Sequence, residues 1–416
     1  MNNLTLIPVI MAGAFALGIA EKKLVQKNID KIPLRILVNG IRGKSTVTRL
    51  ITGILKEAGY KVVGKTTGSA ARIIYWDAEE EIIYRRPEGP NITEQKSVIK
   101  KAAKRGADAL VSECMAVNPD YQKALQEEFV QANVVVIVNV LEDHMDVMGP
   151  TLDQIAEGFT TTIPYDGHLI LSNDNYVNYY KRIAKRRRTR VYVADDTLVS
   201  EAFLKKFKYM VFPQNASLAL AVADALGIDR QTAFKGMLNA HPDPGAAEVW
   251  TLPSFGKNVY FINGFAVNDA ASTLSMLERL HALGYKTDNA TIVMNCRPDR
   301  VDRSQQFAED VLPYMNVKRI IAMGQITQPI VKAHEEGKFN AEEFIDMENA
   351  SIPSIMAQLK RQESNSVIFS VGNIHGDGEP LLEALQEVSE HAELYKDLET
   401  TRQTVKNNNS AKLQED

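Results

Sequence analysis

The chain alternates between two hydrophobic rhythms. Runs of apolar, largely β-branched residues that end in polar ones stand at 35–40 (RILVNG), 108–113 (DALVSE), 133–140 (NVVVIVNV), 167–174 (GHLILSND) and 189–195 (TRVYVAD). Continuous runs of this kind suit strands buried on both faces of a parallel sheet, with functional residues gathering beyond the carboxyl ends of the strands. Between them the spacing becomes helical, as in STVTRLITGILKEAG from Ser45, which closes on Gly59. A second helical stretch, 214–227 (QNASLALAVADALG), also closes on a glycine. Residues 241–248 (HPDPGAAE) interrupt any regular element, and the alternation restarts at 258–266, 290–296, 319–324 and 366–373. The pattern predicts an α/β protein in four parts: an apolar segment and basic linker at 1–34, a central domain with a mainly parallel sheet at 35–240, a second, smaller α/β domain at 241–390, and a disordered tail at 391–416.

Composition adds little to this and removes some alternatives. The 416 residues are 45% hydrophobic, enough for two or three domains with cores, and a net charge of −4 argues against a surface given over to nucleic acid. Cys114 and Cys296 stand far apart without metal-ligand spacing, which fits a reducing compartment and no structural zinc. Residues 4–20 carry no charge; as a helix they reach about 25 Å, just short of the ~30 Å hydrocarbon core. Lys22, Lys23, Lys27, Lys31 and Arg35 follow and no cation precedes, so a membrane segment here leaves the rest of the chain on the cytoplasmic side. A cleaved signal peptide wants its charge in front. An anchor and a helix docked on the domain or on a partner subunit both fit.

Residues 38–46 (VNGIRGKST) carry the chemistry. The common phosphate loop, G-x-x-x-x-G-K-[ST], wants its first glycine where Val38 stands; here Gly40 comes two residues later. The alternative is a glycine turn that happens to carry a lysine, but the order of strand, glycine loop and helix favours a nucleotide cradle. Its amides and helix terminus attract phosphate, Lys44 adds charge, and Ser45 is placed to ligate magnesium. The candidate ATP-binding loop is therefore Gly40, Ile41, Arg42, Gly43, Lys44, Ser45 and Thr46. Beyond two other strand-like runs stand Glu113 and the group Asn139, Glu142, Asp143, His144 and Asp146, where metal ligands belong in such a sheet. Taken singly, the aspartates read equally as helix caps and His144 as a structural histidine.

Taken in order, the short loop, Glu113, Asn139 with Asp143-His144-Met145-Asp146, Asn173-Asp174, Asn215 at the head of an alanine-rich helix, Pro244-Gly245 with Glu248, Ala266-Val267-Asn268 and Gly372-Asn373-Ile374-His375-Gly376 resemble the Mur ligase superfamily across residues 36–385. Within it, the apolar N-terminus, NGIRGKS, FINGFAVNDAAST at 261–273 and NCRPDRVDRS at 295–304 are similar to the CapB/PgsB group, the ATP-dependent subunit of poly-γ-glutamate synthase.

The resemblance implies a phosphate-loop central ATPase domain and a Rossmann-like C-terminal ligase domain that form an amide through an acyl phosphate. It implies ATP and magnesium: Lys44 as the catalytic cation, Ser45 and Glu113 holding one metal, His144 helping to hold a second, and Asn215 meeting adenine. Many relatives orient the second metal with a carbamylated lysine; this chain has none between His144 and Lys181, and Glu157 is the candidate substitute. The junction arginine of Mur ligases is Ala246, so Arg297, Arg300 and Arg303 are candidates for the ATP phosphates, with surface salt bridges as the alternative. Lys65, Thr67, Arg85, Arg86 and His375 are candidates for substrate carboxylates, against hairpin and capping roles.

Glutamate and poly-γ-glutamate are the implied substrates. The implied partners are integral-membrane synthase and export subunits, CapC/PgsC- and CapA/PgsA-like, at the cytoplasmic face of the cell membrane, with a homo-oligomer also admitted. Residues 181–190 (KRIAKRRRTR) hold seven cations, read as a solvated helix face or as a contact for anionic lipid or polyanionic product. No aromatic interleaves them, and no nucleic acid is expected. Two rival readings share the loop: a folylpolyglutamate-type ligase, against which the apolar N-terminus argues, and a non-ligase ATPase that couples polymer export.

Overall fold

The computed structural model describes residues 3–67, 71–85, 91–143, 145–207, 209–243, 246–265, 267 and 270–391. The chain forms two compact units, one of residues up to 204 with 211–244, the other of 205–210 with residues from 245 on.

The first unit holds strands β1 (Leu34–Asn39), β2 (Val62–Lys65), β3 (Arg72–Tyr75), β4 (Glu81–Ile82), β5 (Ala109–Glu113), β6 (Val134–Ile137), β7 (His168–Leu171) and β8 (Arg190–Val193). They lie in the order β4-β3-β2-β5-β1-β6-β7-β8, parallel from β2 to β8, with β3 and β4 added antiparallel at one edge. Each residue of β5 and β6 is buried, which is why β6 reads VVVI and β5 opens ALV without alternation before its polar end, Ser112 and Glu113. β1 lies between them, and its register sets Val38 opposite both Glu113 and Val136. The carboxylate thus leaves its strand level with the start of the glycine loop.

Helices α1 (Asn3–Ile29), α2 (Lys44–Glu57), α3 (Glu94–Arg105), α4 (Pro119–Ala124), α5 (Met145–Met148), α6 (Leu152–Thr160), α7 (Val177–Arg186), α8 (Glu201–Leu204), α9 (Pro213–Leu226) and α10 (Arg230–Leu238) complete this unit. α2 buries Val47, Leu50, Ile51, Ile54 and Leu55, the face its spacing predicts. It meets α10 backbone to backbone: a Cβ on Gly236 would lie 2.6 Å from the Ile54 Cα, and one on Gly53 would lie 2.3 Å from the Gly236 carbonyl. Among the described side chains, α1 packs by its C-terminal end, with Val25 and Ile29 against Val98 and Ile99 of α3, and Glu21 pairs with Lys96 in the first turn of α3 at 2.7 Å. Residues 11–20 are all exposed. Among the described residues, no helix is long and apolar enough to cross a membrane, so the expected anchor finds no support there.

The second unit holds β9 (Val249–Thr251), β10 (Tyr260–Ile262), β11 (Thr291–Cys296), β12 (Val317–Gly324), β13 (Ala341–Glu348), β14 (Val367–Gly372) and β15 (Glu390–His391), in the order β13-β12-β11-β14-β10-β9-β15. The strands from β13 to β10 are parallel, and β9 pairs antiparallel with its neighbours. α11 (Ala270–Ala282), α12 (Val301–Asp310), α13 (Gln328–Glu335), α14 (Ile352–Leu359) and α15 (Gly378–Glu387) connect them, over a core that includes Phe261, Phe265, Ile321 and Leu381.

Gly236→Ala is expected to lower stability by about 1–3 kcal/mol through overpacking between α2 and α10. Gly13→Ala, in an exposed helix interior where nothing lies within 4 Å of an added Cβ, is expected to cost nothing and to stabilise by up to about 1 kcal/mol. Urea unfolding midpoints of the two variants check the contrast.

Candidate active site

The glycine loop is built as a tight cradle. Gly40 and Gly43 have φ of 125° and 82°, left-handed geometry that favours glycine. A Cβ on Gly43 would also lie 2.6 Å from the Asn215 Oδ1, so Asn215 of α9 sits directly against the loop. Asn139, beyond β6, braces it from the other side: its Oδ1 accepts from the Ile41 and Arg42 amides at 3.1 and 3.0 Å, and its Nδ2 donates to the Arg42 carbonyl at 3.0 Å. Arg42 pairs with Asp143 at 2.8 Å. The Lys44 Nζ lies over the loop, donating to the Gly40 and Ile41 carbonyls at 2.8 and 2.9 Å.

Glu113 gathers the neighbouring elements. Its Oε2 accepts from the Ser45 hydroxyl at 2.8 Å and the Thr67 amide at 2.7 Å. A hydroxyl and a carboxylate at the mouth of a phosphate loop are the hard oxygen donors magnesium takes beside phosphate and water, so these residues fit that ion. The Thr67 carbonyl in turn accepts from the Arg85 Nη1 at 3.0 Å, and Arg85 pairs with Glu94 at 3.1 Å. Lys65, wholly buried, lies 3.9 Å from Glu94. Burial lowers its pKa to about 8, while the charges of Glu94 and Glu113 pull the other way. Burial pushes the Cys114 thiol up to about 11, so it is no nucleophile at neutral pH.

Loop, Ser45, Glu113, Thr67 and Asn215 are therefore brought together. Glu157 is exposed on α6, where its charge acts on Tyr179; among the described residues it makes no side-chain bond to the loop, and its placement lends nothing to the role expected of it. His144 and Arg86 lie outside the described residues. In the second unit, Asn295 and Asn373 exchange hydrogen bonds of 2.7 and 3.2 Å, tying the carboxyl ends of β11 and β14. Arg297 lines a 200 Å³ cavity there with Gly376 and Asp377, and it pairs with Asp299 at 2.8 Å. His375 pairs with Glu379 at 2.9 Å, Arg303 donates to the Asn373 Oδ1 at 2.6 Å, and Arg300 is exposed.

Arg49 escaped the sequence reading. It points inward from α2, binding both oxygens of Glu80 at 2.6 and 3.0 Å and the Asp243 Oδ1 at 3.2 Å. Burial lifts the Asp243 carboxyl above its usual range, against the pull of Arg49. The available signal was an arginine within the apolar face of an amphipathic helix.

The Mur ligase middle domain profile matches residues 38–240, and that of the poly-gamma-glutamate synthase CapB C-terminal domain matches 249–388. The chain is 59% identical to the PGA synthase CapB of Bacillus subtilis (strain 168) over 92% of its own length and 98% of that protein's. It is 56% identical to the capsule biosynthesis protein CapB of Bacillus anthracis, over 89% of this chain and 80% of that one. A crystal structure of MurF from Acinetobacter baumannii, 15% identical, superposes over 89% of this chain and 80% of its own with a TM-score of 0.62, a likeness of fold.

Asn139→Ala, which removes three hydrogen bonds from the loop, is expected to weaken nucleotide binding at least about tenfold, measurable by titration with a fluorescent ATP analogue. Because folding lowers the Lys65 pKa from 10.5 to about 8, the unfolded chain holds that proton more tightly between those values. The penalty is full below pH 8 and released as pH rises to 10.5. Lys65→Met is therefore expected to gain about 3 kcal/mol of stability relative to wild type at pH 7.5 compared with pH 10.5, read from paired urea melts.

Proposed function

The chain belongs to the poly-γ-glutamate synthase CapB family, within the Mur ligases, and from that premise we propose how its residues carry out ATP-dependent amide ligation. The acceptor is the carboxylate of a glutamate chain and the amine that of an incoming glutamate, so the product is poly-γ-glutamate for a capsule or exopolymer. The observation that carries the reading is Glu113 held by Ser45 and Thr67 at the mouth of a braced phosphate loop.

The obstacle is charge. A carboxylate must approach an anionic γ-phosphate, and two unit charges about 4 Å apart repel by roughly 4 kcal/mol at an effective dielectric near 20. The loop amides and the α2 N-terminus draw off phosphate charge, and Lys44, already over the loop, supplies a full positive charge. Ser45 and Glu113 would hold magnesium, with His144 toward a second site; when bound, the ion neutralises phosphate oxygens and screens the approach. A carboxylate oxygen then bonds to the γ-phosphorus while ADP leaves. The incoming nitrogen bonds to the carbonyl carbon, phosphate leaves, and the ammonium proton passes to solvent or base.

Asn215 against the loop suits a contact with the nucleotide base, and Asn139 fixes the loop in its phosphate-binding shape. Arg42, paired with Asp143, sets a cation between the loop and the segment that carries His144. Arg297 and Arg300, beyond the carboxyl end of β11, are assigned to the ATP phosphates, and His375 beyond β14 to the incoming glutamate. Thr67, Arg85 and Arg86 are assigned to the acceptor by contact, and the wholly buried Lys65 by its charge alone. The enzyme works with the other subunits of a synthase, integral-membrane CapC/PgsC- and CapA/PgsA-like proteins, at the cytoplasmic face of the membrane.

Magnesium-ATP and glutamate, supplied to the enzyme with its partner subunits and hydroxylamine, are expected to give glutamyl hydroxamate that disappears in Lys44→Ala. ATP turnover without hydroxamate or γ-linked polymer would instead mark an ATPase that drives export.

A further inference from the structure

The carboxyl end of the first sheet carries a groove that phosphate chemistry does not use. Its cavity of 470 Å³ lies within the range of small-molecule sites, roughly 300–1,000 Å³. Met115 and Val117 line it from the segment leaving β5, Ile92 from ahead of α3, and Val147 from α5, with Asn91 and Asn118 adding amides. The wall starts at Met115, two residues past Glu113, so the groove opens beside the loop's metal-ligand candidate.

Three features define what it would take. The side chains of Ile92, Met115, Val117 and Val147 are aliphatic or thioether; among the described residues Tyr121 is the only aromatic in the lining, and it is exposed, which gives a flat heterocycle little to stack on. Asn91 and Asn118 each use the side-chain oxygen within the protein, on the amides of Thr93 and Asp120, and among the described residues neither NH2 group has a partner. Behind the wall, the Lys65 Nζ lies 3.6 Å from the Met115 sulfur. Lys65 and Arg85 stand there with the carboxylates of Glu94 and Glu113, two cations against two anions, and the Arg85 Nη2 is buried without a hydrogen-bond partner.

We propose that this groove seats the end of the acceptor chain, a γ-linked glutamyl oligomer. Such a chain repeats two methylenes, an amide and a pendant carboxylate. The methylenes lie on the aliphatic wall, the amide carbonyls accept from Asn91 and Asn118, and the pendant carboxylates stay in water at the open side of the groove. The terminal carboxyl is thereby delivered past Glu113 to the phosphate loop. This assignment rests on the amide-ligase reading above and adds to it the place and chemistry of acceptor recognition.

The test uses the enzyme with its partner subunits, magnesium-ATP, glutamate and a γ-linked glutamyl oligomer as acceptor. Asn91→Asp and Asn118→Asp keep the capping oxygens, lose the donors and add negative charge. Each is expected to raise the KM for the oligomer about tenfold or more and to leave the KM for ATP unchanged. Ala116→Phe, which fills the groove, is expected to act in the same direction, and thermal melts establish that each variant is folded. Oligomer extension by wild type with an unaltered acceptor KM in folded Asn118→Asp overturns the groove assignment alone. Failure of wild type to extend the oligomer at all overturns the ligase reading and the groove with it.

Discussion

The first unit depends on one carboxylate. Glu113 ends a fully buried strand, and its Oε2 accepts from both the Ser45 hydroxyl of the loop helix and the Thr67 amide of the segment beyond β2. A charged acceptor with two short hydrogen bonds is stronger than a neutral one and fixes direction as well as distance. Three chain segments that meet nowhere else in sequence are thereby held in register at the point where phosphate would lie. The parallel register of β1 and β5, Val38 opposite Glu113, makes the arrangement unavoidable once the sheet forms.

Asn139 does for the loop what Glu113 does for its exit. A backbone that turns through two left-handed glycines has little intrinsic preference for one shape, and glycine gives up more conformational freedom than other residues when fixed. Three hydrogen bonds from one side chain select the shape in advance, so binding of phosphate need not supply that ordering. Arg42 extends the same tie by its pair with Asp143, linking the loop to the segment that follows β6.

Much of this was legible in the sequence because burial writes itself into composition. The runs at 35–40, 108–113, 133–140, 167–174 and 189–195 emerge as β1, β5, β6, β7 and β8, and 214–227 as α9. β2, β3 and β13 were not legible: the first two are four residues each beside glycine-rich segments, and β13 (AEEFIDME) is a charged, half-exposed edge whose pairing comes only from β12. Residues that their own strand or loop brings together, such as Lys44, Ser45 and Glu113, could be named from order alone. Arg49 with Glu80 and Asp243, and the groove amides of Asn91 and Asn118, depend on pairings between distant segments that no local pattern encodes.

Lys65 has a consequence for chemical fidelity. A ligase that makes acyl phosphates generates an electrophile that any neutral amine nearby will consume, and a lysine whose pKa falls to about 8 is in part neutral under physiological conditions. Such a side chain within reach of the activated carboxyl would acylate itself and end turnover in a dead branch. Lys65 is wholly buried, its amine 3.6 Å from the sulfur of Met115, and it does not itself line the groove that Met115 borders. Burial keeps its lone pair from the reaction.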